Sequence, residues 1–163
     1  ILDTVSGASR HISSGQVFTR GIHPTRDLPI FLNIARSLGK DPLSTPISCW
    51  IPLYTSRGVP IGWGGAMGPA QFIPSTWVLL ADKISSITGR SPADPWNIED
   101  AFLTSALLLA QGGAGAQTYG AEVRAAKAYF SGSPNCRRAD CNSYASAVMR
   151  NAAEIQKQLP AIP

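Results

Sequence analysis

Charge is scarce in this chain, and glutamate is scarcer still. Only 15% of the 163 residues are charged, well below the ~25% of an average soluble protein. Three are glutamates, Glu99, Glu122 and Glu154. No apolar run approaches the ~18–20 residues of a membrane span, and residues 1–20 hold no apolar stretch of the secretory type. Neither a spanning protein nor an intact precursor is therefore expected. With two histidines and three cysteines, no CxxC pair and no second ligand cluster, a zinc site is not expected and no cofactor is named. Lysine and arginine, 14 against 10 acids, are scattered, with Arg137-Arg138 the densest pair. Without a basic stripe interleaved with aromatics, nucleic acid is not an expected partner. The net charge of +4 suits an anionic surface instead.

What is present reads as one mainly α-helical domain over residues 1–163, long enough for a sizeable core. Residues 1–24 are polar and rich in Ser, Gly and Thr, and are expected to be irregular. Asp27-Leu28-Pro29 reads as a helix start with Asp27 as N-cap. Ile30, Phe31, Ile34 and Leu38 then share a face, and Gly39 closes the helix. Residues 40–64 carry four prolines and form a long connection. Ser75 and Thr76 can cap a helix over about 77–87, stopped by Gly89. Asn97 caps the clearest helix, whose Phe102, Leu103, Ala106, Leu107, Leu109 and Ala110 cover most of its circumference and predict a central position. Gly112-Gly113 ends it, and further helices are expected over about 121–130 and 143–158. No segment shows strand alternation.

Cys136 and Cys141 flank four residues in a loop-like stretch opened by Ser133-Pro134. A small disulfide-closed loop is the preferred reading, which implies an oxidising compartment; two free thiols are the alternative. Cys49 is left without a partner in this reading.

The most informative segment runs from Gly64 to Trp77, GGAMGPAQFIPSTW. Glycine-dense backbone exposes N–H and C=O groups that suit a sugar's hydroxyl and N-acetyl groups. Gln71 can donate and accept at once, and Met67 or Phe72 could lie against a sugar face. The bland reading is a tight glycine turn into a helix, with Phe72 and Trp77 in the core. Trp63 and Trp96 could stack on sugars or pack inside.

This segment resembles the GAMGxxQFxPSxW signature of lytic transglycosylases, specifically the family-3 group typified by membrane-bound lytic transglycosylase B. The downstream order is similar too: Asp94-Pro95-Trp96-Asn97, then Ile98-Glu99-Asp100-Ala101 and a long helix, then Tyr129-Phe130-Ser131-Gly132. The likeness covers about residues 20–157. It implies a lysozyme-like, goose-lysozyme-type helical domain that cleaves the β-1,4 bond between N-acetylmuramic acid and N-acetylglucosamine without adding water, leaving 1,6-anhydro ends. It implies glycan strands of peptidoglycan as partner, a monomer, and an exported location in the periplasm or cell envelope. Carried over by residue, Gly65, Ala66, Met67 and Gly68 would line the cleft floor, Gln71 would contact glycan, and Tyr129 is a further cleft candidate. Phe72 would pack behind them. Gly62 stands where members of the group carry a serine near the catalytic acid.

One departure matters. The family's general acid is a glutamate ending a helix upstream of the GAMG segment, and upstream of Gly65 this chain has only Asp3, Asp27 and Asp41 as acids. Such an acid needs a raised pKa in an apolar cleft. Glu99 and Glu122 fall in first turns of helices and Glu154 on a solvated face. The expectation is therefore a fragment whose glutamate lies upstream of Ile1, with the unpaired Cys49 and the absent opening helix pointing the same way. An inactive peptidoglycan-binding relative and a phage-borne muralytic domain are the alternatives.

Overall fold

The computed structural model describes residues 21–50, 53–54 and 56–159. The irregular segment expected over 1–24 thus lies mostly outside the described residues. Among them the chain is mainly helical. In order come α1 (Leu28–Ser37), β1 (Leu53–Tyr54), β2 (Pro60–Ile61), α2 (Pro74–Trp77), α3 (Ala81–Thr88), α4 (Ile98–Gln111), a 3-10 turn (Ala114–Ala116), α5 (Tyr119–Ser131) and α6 (Ala139–Gln158). The chain divides into two compact units, residues up to Thr104 and residues from Ser105.

In the first unit α1 starts with proline in its first turn and buries Phe31, Ile34 and Ala35. Asp27 precedes it but makes no side-chain cap, because its backbone is already helical (φ −103°, ψ −33°) and a capping side chain needs extended geometry. Its buried carboxylate instead accepts two bonds from the Arg26 guanidinium, at 2.8 and 2.6 Å, and one from the Ser75 N–H at 3.1 Å. That tether joins α1 to α2 across 48 residues.

The single helix expected over about 77–87 is two. Pro74 opens α2 and Ile73 precedes it, with no cap from Ser75. Leu79 and Leu80 then donate to Thr76 and Trp77 three residues back, and such tightened bonds end a helix. The break turns Trp77, Leu80 and Ile84 inward and leaves Leu79 77% exposed. α3 ends as expected at Gly89, in the left-handed region.

Asn97 caps α4, its Oδ1 accepting from the Glu99 and Asp100 N–H groups at 3.0 and 3.2 Å. The helix is not covered all round, however: Ile98 and Phe102 are 57% and 61% exposed. Its buried positions are Asp100, Ala101 and Thr104. Apolar content alone did not distinguish an enclosed helix from one with an open face.

The 40–64 connection is more ordered than its prolines suggest. It contains the short antiparallel ribbon β1–β2, pairing Leu53 with Ile61 and Tyr54 with Pro60, which the absence of strand alternation did not predict.

In the second unit α5 begins at Tyr119, with the Thr118 hydroxyl accepting from the Ala121 N–H, and ends at left-handed Gly132. α6 begins at Ala139, four residues earlier than expected. The two helices pack together; α5 buries the small residues Ala121, Ala125 and Ala126, and α6 buries Cys141 and Ala145. The Phe130 and Tyr144 rings stack at 4.7 Å, and Cys136 is bonded to Cys141 as a disulfide.

Candidate functional site

The glycine segment of the first unit is built by main-chain crossings. Residues 64–68 run against residues 47–48: Ser48 N–H donates to Ala66 O at 2.8 Å, Gly65 N–H to Ser48 O at 2.9 Å, and the Ser48 hydroxyl accepts from Ala66 N–H at 2.9 Å. A Cβ at Gly64 would lie 2.5–2.6 Å from three backbone atoms, Ser48 O, Gly21 O and Trp50 N. No residue but glycine lets three strands of chain approach so closely. Gly68, at φ +61°, sits on the Pro95 carbonyl, where any Cβ would collide. The sequence reading took these glycines as openings for a ligand; here they first allow chain to meet chain.

The Pro95 carbonyl is itself fixed from behind. Asp94 accepts from Trp96 N–H at 2.8 Å, and Asp94 N–H donates to Asp100 Oδ2, also at 2.8 Å. Arg90 Nε donates to the same Oδ2 at 3.0 Å, while its Nη2 reaches Glu99 at 2.7 Å. Asp100 is fully buried, and its Oδ1 has no hydrogen-bond partner among the described residues. Sequence reasoning named Asp100 only within the Ile98-Glu99-Asp100-Ala101 segment and missed this role. The signal that could have found it is Arg90, the one cation between α3 and α4.

Residues 68–71 turn back so that Met67 N–H donates to Phe72 O at 2.8 Å. Gln71 takes φ +57°, a left-handed conformation rare for a side-chain-bearing residue. Such strain of ~1–2 kcal/mol persists only where the surroundings impose it. Its Nε2 donates to Gly68 O at 2.8 Å, so the amide is held on its own turn. The other end, Oε1, carries no hydrogen bond among the described residues and is free to accept one from a ligand.

Around this turn the side chains sort clearly. Met67 has no exposed surface and Phe72 is buried against Trp77, ring centres 6.2 Å apart. Gly65 is buried, and Ala66, Gly68 and Gln71 are half-buried. The structure thus brings Gly65, Ala66, Met67, Gly68 and Gln71 into one turn, with Met67 able to meet a ligand only through its backbone. Trp63 is 39% exposed beside His23, at 5.0 Å. Trp96 is occupied: its Nε1 donates to Pro46 O, Phe31 meets it edge-on, and the Lys40 ammonium stands 5.5 Å from its ring centre.

Tyr129 belongs to the second unit, on α5. Its hydroxyl is 3.1 Å from the Ser105 hydroxyl, and burial pushes its pKa up to about 12. No cluster of three or more His, Cys, Asp or Glu that could hold a metal occurs among the described residues, and no helix among them is long and apolar enough to cross a membrane.

The model of the family described as Transglycosylase SLT domain matches residues 55–159, from the ribbon to the end of α6. The chain belongs to that family. No curated protein and no solved structure matches it. As an SLT domain it is of a lyase kind whose substrate is peptidoglycan, a polymer that lies outside the cytoplasm. The match includes the glycine turn with Gln71, Tyr129 and both bonded cysteines; α1 and its Asp27 tether precede it.

The three glutamates stand in different settings. Glu99 is 70% exposed and paired with Arg90, and Glu154 is 59% exposed and paired with Lys157. Glu122 stands half-buried in the first turn of α5. Of the fully buried carboxylates, Asp27 is held by the bonds above, and Asp100 is held through Oδ2 alone.

Proposed function

We propose that this chain is the glycan-holding part of a family-3 lytic transglycosylase, a monomer working in the cell envelope. The parent reaction would be non-hydrolytic cleavage of the N-acetylmuramic acid to N-acetylglucosamine β-1,4 bond. A glutamic acid protonates the leaving oxygen, then takes the proton of the muramic 6-hydroxyl as that oxygen attacks C1, closing the 1,6-anhydro ring. One carboxyl serves both steps, unlike the paired carboxyls of most glycosidases. In this reading that acid lies outside residues 1–163, and the chain by itself is inactive.

The observation that carries the reading is the Gln71 turn, with its amide nitrogen pinned to Gly68 O and its carbonyl oxygen left for a ligand. A strained, preorganised acceptor among half-buried glycine backbone suits the N–H and hydroxyl donors of an N-acetylated sugar. Trp63 is proposed as a further glycan contact of the first unit, and Tyr129 as a separate candidate on the second.

The test is digestion of purified peptidoglycan by this chain and by an N-terminally extended version, with products read by mass. Release of 1,6-anhydro muropeptides by the extended version alone is expected. Cleavage by the 163-residue chain would overturn the external acid. Gln71→Ala should weaken binding of peptide-free glycan strands about five- to tenfold, the effect of one hydrogen bond. A second reading, an inactive glycan-binding relative, is favoured by the exposed, ion-paired state of Glu99 and Glu154; it wins if neither version cleaves and both bind. A phage-borne muralytic domain would share the chemistry and differ in its neighbouring genes.

A further inference from the structure

The second unit holds a groove of about 510 Å3 that the glycan reading does not use. It is lined by Arg124 and Lys127 of α5 and by Pro134, Asn135, Cys136 and Arg137 of the following loop. Arg124 and Lys127 are three residues apart and so share a helix face. None of the three cations makes an ion pair among the described residues. The contrast with the neighbouring arginine is direct. Arg138 is held by both oxygens of Asp140 at 3.0 Å, whereas Arg137 has only its carbonyl engaged, by Asn142 Nδ2.

The rim is built rather than loose. The Ser131 hydroxyl donates to Lys127 O and Ser133 O, Cys136 N–H donates to Ser133 O, and the disulfide fastens Cys136 to the buried Cys141 in the first turns of α6. Three like charges around one hollow repel one another, and an anion entering it removes that repulsion while gaining up to three partners.

Resting on the reading of peptidoglycan as substrate, we propose that this groove binds the free carboxylates of the peptide stems that hang from the glycan strands. The chemistry selects them. The sugars of the strand are neutral N-acetylated units, and its negative charge sits on the stems. A guanidinium matches a carboxylate in a two-point geometry, and a groove with two arginines and a lysine suits a short peptide carrying more than one carboxylate. The groove would thus read the peptide while the Gln71 turn holds sugar.

The test uses the full chain and a synthetic stem tetrapeptide bearing free carboxylates but no sugar, followed by chemical-shift titration. Shifts are expected at residues 124–137, weakening as salt rises. Because Arg124 and Arg137 are exposed and Lys127 is half-buried, each single change to Gln should cost about two- to fivefold in affinity and the triple change about tenfold or more. Arg137→Lys, which keeps the charge but loses the two-point geometry, should fall between the parent and Arg137→Gln, and Cys136→Ser with Cys141→Ser should lower binding by loosening the rim. The proposal is overturned if the triple variant binds like the parent, if the carboxyl-amidated peptide binds as well as the free acid, or if inorganic phosphate binds more tightly than the peptide. Failure of the glycan reading would show instead on neutral N-acetylglucosamine oligomers, which the triple variant should bind unchanged.

Discussion

The glycine turn of the first unit and the cationic groove of the second are held in place by opposite means. Residues 64–72 have almost no regular structure, and their positions follow from backbone hydrogen bonds to residues 47–48 and from close approach to residues 21, 50 and 95. The groove's cations hang from a 13-residue helix, whose buried residues are alanines, and a short loop fastened by one disulfide. Where geometry rests on main chain meeting main chain, one added carbon has nowhere to go. Where it rests on side chains packed along helices, losses come in graded steps. The first arrangement suits a site that must present backbone groups rigidly; the second suits one that presents long charged side chains.

The sharpest way to break the comparison is Gly68→Ala. The added Cβ would collide with the Pro95 carbonyl, and the residue would still need φ +61°. Because the opposing atom is backbone fixed through Asp94 and Asp100, the expected loss is ~3 kcal/mol or more in denaturant unfolding. Gly89→Ala is the control: φ is +70° but nothing lies within 4 Å, so only conformational strain of ~1 kcal/mol is expected. Equal losses would mean that the backbone crossing contributes nothing beyond strain.

How much of this was legible beforehand differs between the same two regions. Some helix termini were readable, because caps and stops act within a few residues: Asn97, Gly89 and Gly113 do what their residue types suggest. The disulfide of Cys136 and Cys141 was readable from spacing and loop context. Asp27 was misread because its partner, Ser75, lies 48 residues away. The split of the Ser75–Thr88 stretch was missed because it depends on which side chains the core accepts, Trp77 and Leu80 rather than Val78 and Leu79. The glycine motif located the turn and named Gln71. It did not reveal that Gly64 and Gly68 serve the chain's own crossings or that Met67 is sealed beneath them. Contacts between distant backbone segments leave no periodic trace in a sequence.

A middle-sized effect is expected at the Asp27 tether. Burial alone would raise its pKa, but the Arg26 guanidinium and the Ser75 hydrogen bonds outweigh it and hold the carboxyl below its ordinary value. A lowered folded pKa stabilises the fold above the unfolded value near ~4 and loses that contribution as pH falls through the folded pKa. Asp27→Asn should therefore cost ~2–3 kcal/mol at neutral pH by weakening charge-assisted bonds to a buried group. It should also flatten the decline in stability below pH ~4. Unfolding curves from pH 2 to 7 would check both, and an unchanged acid limb would remove Asp27 from the account.

The smallest effect belongs to the second unit, where replacement is graded. Burial raises the Tyr129 pKa to about 12, and its hydroxyl meets that of Ser105. A phenol with a raised folded pKa stabilises the fold fully below the unfolded value near ~10, and that contribution drains away as pH rises through about 12. Tyr129→Phe keeps the ring, so the expected loss at neutral pH is ~1 kcal/mol, one hydrogen bond. Ultraviolet titration of the parent should show a phenolate step near pH 12 that the variant lacks, and the variant's stability should fall less steeply above pH ~10. A Tyr129 step at ordinary alkaline pH would place the hydroxyl in water, and the α5 packing derived from its burial would have to be redrawn.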